Sequence, residues 1–228
     1  MKKFFIPTII LLFIASLSFS QIKLPQIICD SMILQRDIKI NVWGWASKGE
    51  RVSVKFNGKS YHTKTNDEGK WMLQLAPMKA GGPYTMEILG KNKIVLHDIL
   101  IGDVWVCAGQ SNMEHQMKLH SVYYSKEISN ANYSEIRQFK ISNVTNLINP
   151  QQDLPGGSWK WADSNNVRDF SAVAYFFAEA LYEKYHIPIG IINASWGGIP
   201  IEAMMSEESL QSFPDIIQTI KKIKTQLM

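Results

Sequence analysis

From Ile38 to Ile101 the chain alternates apolar and polar residues with period two, in short runs broken by turn residues. Such alternation is the signature of antiparallel strands with one buried face. Ile38, Ile40 and Val42 form one run, and Val52, Val54 and Phe56 another. Asn57-Gly58 follows, a pair that readily takes positive φ and so predicts a tight hairpin before Tyr61. Asn66-Asp67-Glu68-Gly69 predicts a second turn ahead of Trp71, Leu73 and Leu75, and Gly81-Gly82-Pro83 punctuates before Tyr84, Met86 and Ile88. Residues 21–98 therefore read as a small antiparallel β-sandwich.

The pattern changes at Asp98. Ile99 to Cys107 is a nearly continuous apolar run, interrupted by Gly102-Asp103, as expected of a strand covered on both faces. A small-residue turn, Ala108 to Met113, leads from it into a segment expected to be helical. Val173, Phe176, Phe177, Ala180 and Leu181 recur at helical spacing, with Asp169 or Ser171 as N-cap and Pro188 past the end. Ile189 to Ala194 is a second buried strand, ending in Ser195-Trp196-Gly197-Gly198. Strand, helix and strand in this order predict an α/β layer with a parallel sheet over residues 99–228. Ser142 to Asn166, rich in Asn, Gln, Gly, Pro and Asp, reads as a long surface loop, and Phe213 to Met228 as an amphipathic helix.

Ahead of all this stand Lys2-Lys3, an apolar run from Phe4 to Ile14, and small residues leading to Ser20, the pattern of a secretory signal peptide over residues 1–20. A membrane-spanning helix needs about 20 apolar residues and a charged stop; this run is shorter and dissolves into Ser and Ala. A secreted or periplasmic location with no remaining membrane span is expected, and Gln21, the expected mature start, offers no thiol for a lipid anchor. The formal net charge is +4, yet the Lys and Arg residues are scattered and no arginine stripe interleaves with aromatics, so nucleic acid is not the indicated partner. Abundant Trp and Tyr in a secreted chain hint at sugar binding, although core packing also explains tryptophans. Cys29 and Cys107 have no metal-site spacing; they are either two unpaired thiols or a bridge that only geometry can decide, and the position of Cys107 inside a buried strand favours the former.

In parallel sheets ligands bind beyond the carboxyl ends of the strands. Gly109-Gln110-Ser111-Asn112 and Ser195-Trp196-Gly197-Gly198 occupy that position. Ser111 could be a nucleophile lifted out of the sheet by its turn, or simply a helix N-cap. The segment is not a G-x-S-x-G elbow, because Met113 stands two residues beyond Ser111. Gly197 and Gly198 could offer amides to an oxyanion or only reverse the chain.

The run Ile101-Gly102-Asp103-Val104-Trp105-Val106-Cys107-Ala108-Gly109-Gln110-Ser111-Asn112-Met113-Glu114 closely resembles the nucleophile block of the sialate O-acetylesterase family of SGNH hydrolases. Met32-Ile33-Leu34-Gln35-Arg36 with Val42-Trp43-Gly44-Trp45-Ala46, and Gly190 to Gly198 with Ile201-Glu202-Ala203, resemble the same family in the same order. The resemblance implies a flavodoxin-like hydrolase domain preceded by a β-sandwich, working without cofactor or metal on an O-acetylated sugar or glycan. It implies Ser111 as nucleophile, its own amide and the Gly197-Gly198 turn as oxyanion donors, and Gln110 and Asn112 as shaping the turn or touching substrate. Glu202 would bind sugar hydroxyls, or be a structural ion pair or solvated surface residue.

Two departures stand out. The family's histidine and its acidic partner lie near the C-terminal end of the hydrolase domain, and none of His62, His97, His115, His120 and His186 stands in an Asp-x-x-His setting after the last strand. Met204 stands where the family tends to have Trp. The expectation is therefore a C-terminally truncated or split esterase, poor or inactive alone, whose partner is the missing C-terminal half. The competing expectation is a non-catalytic carbohydrate-binding module with a remnant hydrolase half.

Overall fold

The computed structural model describes residues 21–146 and 149–227; the expected signal segment lies outside them. In chain order the first part forms β1 (Ile33–Gln35), β2 (Ile40–Trp45), β3 (Arg51–Phe56), β4 (Lys59–Lys64), β5 (Lys70–Leu75), β6 (Gly81–Leu89) and the long β7 (Lys93–Gly109). Alternation decides which side chains go inside: Ile40 and Val42 of β2, Val52, Val54 and Phe56 of β3, and Trp71, Leu73 and Leu75 of β5 are all buried. With Met86, Ile88 and Ile99 they make one core. Asn57 and Gly58 both take positive φ, 46° and 71°, and close the β3–β4 hairpin as a pair of that kind should.

The second part adds α1 (Ser111–Glu114), α2 (Ser125–Asn130), β8 (Asn132–Lys140), β9 (Trp159–Asp163), α3 (Ala172–Tyr185), β10 (Ile189–Ser195) and α4 (Pro214–Leu227). Among the described residues, a mixed eight-stranded sheet runs in the order β4-β3-β6-β7-β10-β8-β9, with β1 also pairing β7, while β2 and β5 pair separately. The pairs β4–β3, β3–β6, β6–β7 and β8–β9 are antiparallel, whereas β10 runs parallel to both β7 and β8. The strand β7 therefore belongs to both halves, and it crosses position 98/99 without a break. Its first half pairs with β6 and its last seven residues pair with β10.

Two residues of the first half lock onto β7 where it changes partners. Arg36 donates from Nε and Nη2 to the Asp103 carboxylate at 2.7 and 3.1 Å, and Gln35 Oε1 accepts the Val104 amide at 2.8 Å. The Met32–Arg36 motif thus fastens the strand that leads to Ser111. Beyond Val104 the edge of β7 opposite β10 carries no strand among the described residues, and Trp105 and Val106 there are 44% and 67% exposed.

Several expectations are corrected. The segment after Ser111 is one helical turn, not a sustained helix, and β8 and β9 are strands where no strand was read; β9 lies inside the stretch expected to be loop. On α3 the buried side chains are Ala172, Ala174, Tyr175 and Ala178, while Val173 and Phe177 of the expected stripe face outward. Small alanines let the helix lie close on the sheet, and closeness outweighs side-chain size in choosing the face. Phe177 instead packs edge-on against Trp105, with ring centroids 5.1 Å apart. Cys29 and Cys107 are both unpaired, as the place of Cys107 in a buried strand favoured.

Ser171 caps α3 as expected: its Oγ accepts the Ala174 amide at 3.2 Å, and its own amide donates to Gln138 Oε1 at 3.1 Å. Because Ser171 is fully buried, Ser171→Ala leaves an orphaned amide. A loss of about 1–2 kcal/mol is expected in urea unfolding.

Candidate active site

The parallel pairing of β7 and β10 sets their carboxyl ends side by side, Ser195 opposite Gly109, and both strands end in polar turns. The Trp196 amide donates to Gly109 O at 3.0 Å and carries the pairing one residue past the strand. On the β7 side Gln110 is the N-cap residue of α1, and Ser111 is its first residue, exposed at the top of the sheet. Amides at a helix start have no intrahelical acceptor, and those of Ser111 and Asn112 are unused by the helix.

The two turns predicted to carry chemistry do come together. A Cβ placed on Gly197 would lie 3.6 Å from Ser111 Cα and 3.7 Å from Ser111 Cβ. Gln110 reaches across and donates from Nε2 to Ile199 O, tying the nucleophile turn to the glycine turn. The Gly197 amide is not free, however: it donates to Glu114 Oε2 at 2.6 Å, and Glu114 Oε1 accepts from Asn143 Nδ2 at 2.9 Å. Gly198, at φ 80°, follows as the residue that reverses the chain. Asn112 is exposed and its side chain makes no hydrogen bond among the described residues. Glu202 lies half-buried on the 3-10 turn Ile201–Met204, with no ion pair among the described residues.

Beneath the turns lies a polar network that the sequence pattern did not announce. Lys140 Nζ donates to Ser195 O at 2.7 Å and to Ser195 Oγ at 3.0 Å. Ser195 Oγ donates to Asn193 Oδ1 at 2.6 Å, and Asn193 Nδ2 donates to Gln138 Oε1 at 3.2 Å. Burial lowers the Lys140 pKa from its ordinary value, and the nearby Glu114 charge partly restores it. A cavity of about 270 Å³ opens between Glu114, His115, Leu119, Lys140, Asp169 and Asn193. Glu114 and Asn193 stand in the family-like blocks but without a role; Lys140 and Gln138 carry no motif, and only the register of β8 against β10 makes them neighbours of Asn193.

The histidines do not complete a triad among the described residues. His115 Nδ1 lies 3.3 Å from His120 Nε2, and neither ring is hydrogen-bonded to Ser111. His186 caps α3 in the left-handed conformation, its amide donating to Tyr182 O at 2.8 Å. His62 and His97 are exposed on β4 and β7. Among the described residues no group of three or more His, Cys, Asp or Glu is arranged to hold a metal ion, and no helix is long and apolar enough to cross a membrane.

A serine presented between a buried strand and one helical turn thus lies beside a glycine turn from the neighbouring parallel strand of a mixed α/β fold. Residues 101–227 match the family model described as carbohydrate esterase, sialic acid-specific acetylesterase, and the chain belongs to that family. It is 35% identical to the sialate O-acetylesterase of Rattus norvegicus over 202 residues, which is 79% of this chain and 37% of that protein. To the sialate O-acetylesterase of Homo sapiens it is 34% identical over 209 residues, 80% of this chain and 38% of that one. A crystal structure of a carbohydrate acetylesterase from Xanthomonas citri superposes with a TM-score of 0.80 at 39% identity, over 83% of this chain and 43% of that chain. The chain thus spans less than half the length of each of these three relatives.

Proposed function

We propose that this chain carries the nucleophile-bearing part of a secreted or periplasmic carbohydrate O-acetylesterase of the SGNH kind, in which a β-sandwich precedes a flavodoxin-like hydrolase domain. The observation that carries the reading is the meeting of Ser111 with the Gly197-Gly198 turn at the carboxyl ends of two parallel strands. Ser111 Oγ attacks the acetyl carbonyl of a sugar ester, the sugar hydroxyl leaves with a proton, and water then releases acetate from the acyl-serine. With the Gly197 amide held by Glu114, the Ser111 and Gly198 amides are the donors left for the oxyanion. Lys140 and Asn193 hold the end of β10, and so the glycine turn, against Ser111.

The proton acceptor for Ser111 is assigned to polypeptide beyond the part of the relatives that this chain spans. Two observations support that assignment. No histidine is bonded to Ser111 among the described residues. In addition, the edge of β7 beyond Val104 carries no strand among the described residues, which leaves room there for a further one. An acceptor in the loop after such a strand would arrive beside Ser111.

The test is acetate release from mono-O-acetylated N-acetylneuraminic acid, followed by proton NMR at high protein concentration. Serine-dependent release by the chain joined to the segment that supplies the proton acceptor supports the reading, and intact ester with that longer protein, while it still binds the glycan, counts against it.

A further inference from the structure

Far from Ser111 in sequence, the paired strands β2 and β5 turn one face to the core and the other outward. Asn41, Trp43 and Trp45 of β2 and Lys70, Met72 and Gln74 of β5 lie on the outward side. Trp43 stands opposite Met72 and Trp45 opposite Lys70. Trp43 is 38% exposed and Met72 60% exposed, so an aromatic and a large apolar side chain lie adjacent at the surface. Scattered single exposures need no explanation, whereas a contiguous apolar platform rimmed by polar groups marks a binding surface.

A cavity of about 550 Å³ opens here, its wall including Trp43, Trp45, Thr63, Lys64, Asn66 and Lys70. The wall contains no Asp or Glu. The Lys64 and Lys70 ammonium groups make no ion pair among the described residues. The nearest acids in sequence, Asp67 and Glu68, stand on the intervening turn outside the wall, and Asp67 is engaged by Lys48 at 3.0 Å. A third ammonium, that of Lys23, sits 5.8 Å from the centre of the Trp45 ring.

Indole faces suit the C–H face of a pyranose, and unpaired ammonium groups suit a carboxylate. We infer that the outer face of β2 and β5 is a second, non-catalytic binding site for an acidic sugar, stacked on Trp43 and paired through its carboxylate with Lys64 and Lys70. The site does not depend on hydrolysis at Ser111, so it stands or falls separately from the proposed activity.

The experiment is a titration of the chain with N-acetylneuraminic acid and with glucuronic acid, read by tryptophan fluorescence and calorimetry, beside neutral N-acetylmannosamine and glucose. Saturable binding of both acids is expected, about tenfold or more tighter than of the neutral sugars, and weakening as salt rises. Trp43→Ala is expected to weaken both acids about tenfold or more. The double substitution Lys64→Met with Lys70→Met is expected to erase the preference for acids, and Ser111→Ala to bind like the wild type. Trp43 and both lysines are surface residues, and an unchanged circular dichroism spectrum checks the fold of each variant. Equal affinity for acidic and neutral sugars, undiminished binding by Trp43→Ala, or no saturable binding of either acid would each overturn the inference.

Discussion

With the segment that supplies the proton acceptor present, Ser111→Ala is expected to lower the release of acetate from O-acetylated sugars by about three orders of magnitude or more. The expectation rests on what the serine does and on what it does not do. Ser111 opens the turn at the end of β7, but the cap of α1 makes no side-chain hydrogen bond, and the Ser111 hydroxyl has no partner among the described residues. Removing it therefore opens no cavity and orphans no buried group, so the stability of the protein should change by no more than about 0.5 kcal/mol. A large loss of rate with unchanged melting separates a chemical role from a structural one. An alanine variant that retained wild-type turnover would remove Ser111 from the mechanism. Inactivity of both proteins on their own would place the missing proton acceptor outside these residues, in line with the 37–43% of the relatives' length that the chain spans.

The parts of the fold that could be read from the sequence are those whose side chains are apolar on one face. β2, β3 and β5 follow their alternation residue by residue, and the Asn57-Gly58 hairpin follows its backbone preference. β8 was illegible for the opposite reason. Its buried positions include Arg137 and Gln138, polar residues that become acceptable only through long-range partners. Arg137 donates to the carbonyls of Ser31 and Asp98 and to the Asp98 carboxylate, and Gln138 accepts from Ser171 and Asn193. No period-two apolar pattern can announce a strand buried in that way. α3 shows a second limit: from Ala172 to Ala178 it is apolar all round, so periodicity there could not say which face the sheet would accept.

The site divides along the same line. Ser111 and the Gly197-Gly198 turn were legible because each sits where a buried strand gives way to small polar residues. The pairing of Gly197 with Glu114 was not, since it joins residues 83 positions apart through a turn whose closure depends on how β7 and β10 are aligned. The support from Lys140 was hidden for the same reason, because it arrives from β8. What sequence placed was the ends of the strands; what it could not place was the polar layer beneath them.

That alignment of β7 and β10 is itself fixed by one missing side chain, and Gly102→Ala is expected to cost about 3 kcal/mol of stability. A Cβ on Gly102 would lie 2.0 Å from Pro188 O and 2.6 Å from Pro188 C, atoms of the backbone that no rotamer change can move aside. The glycine is needed here for close approach, since its φ is not in the left-handed region, in contrast to Gly58, where nothing lies within 4 Å but φ is 71°. Gly58→Ala should accordingly cost only about 1–2 kcal/mol, through backbone conformation alone. At Gly102 the added methyl must push β10 away from β7 where their pairing begins, breaking the bond from the Asp103 amide to Pro188 O, now 2.9 Å. The midpoint of urea unfolding should fall well below that of Gly58→Ala. Because Ser111 and Gly197 meet only through the same pair of strands, catalytic turnover, where present, should fall in Gly102→Ala and hold in Gly58→Ala. Equal midpoints for the two variants would mean that β10 can shift freely along β7, and that the contact between the two turns is not set by their pairing.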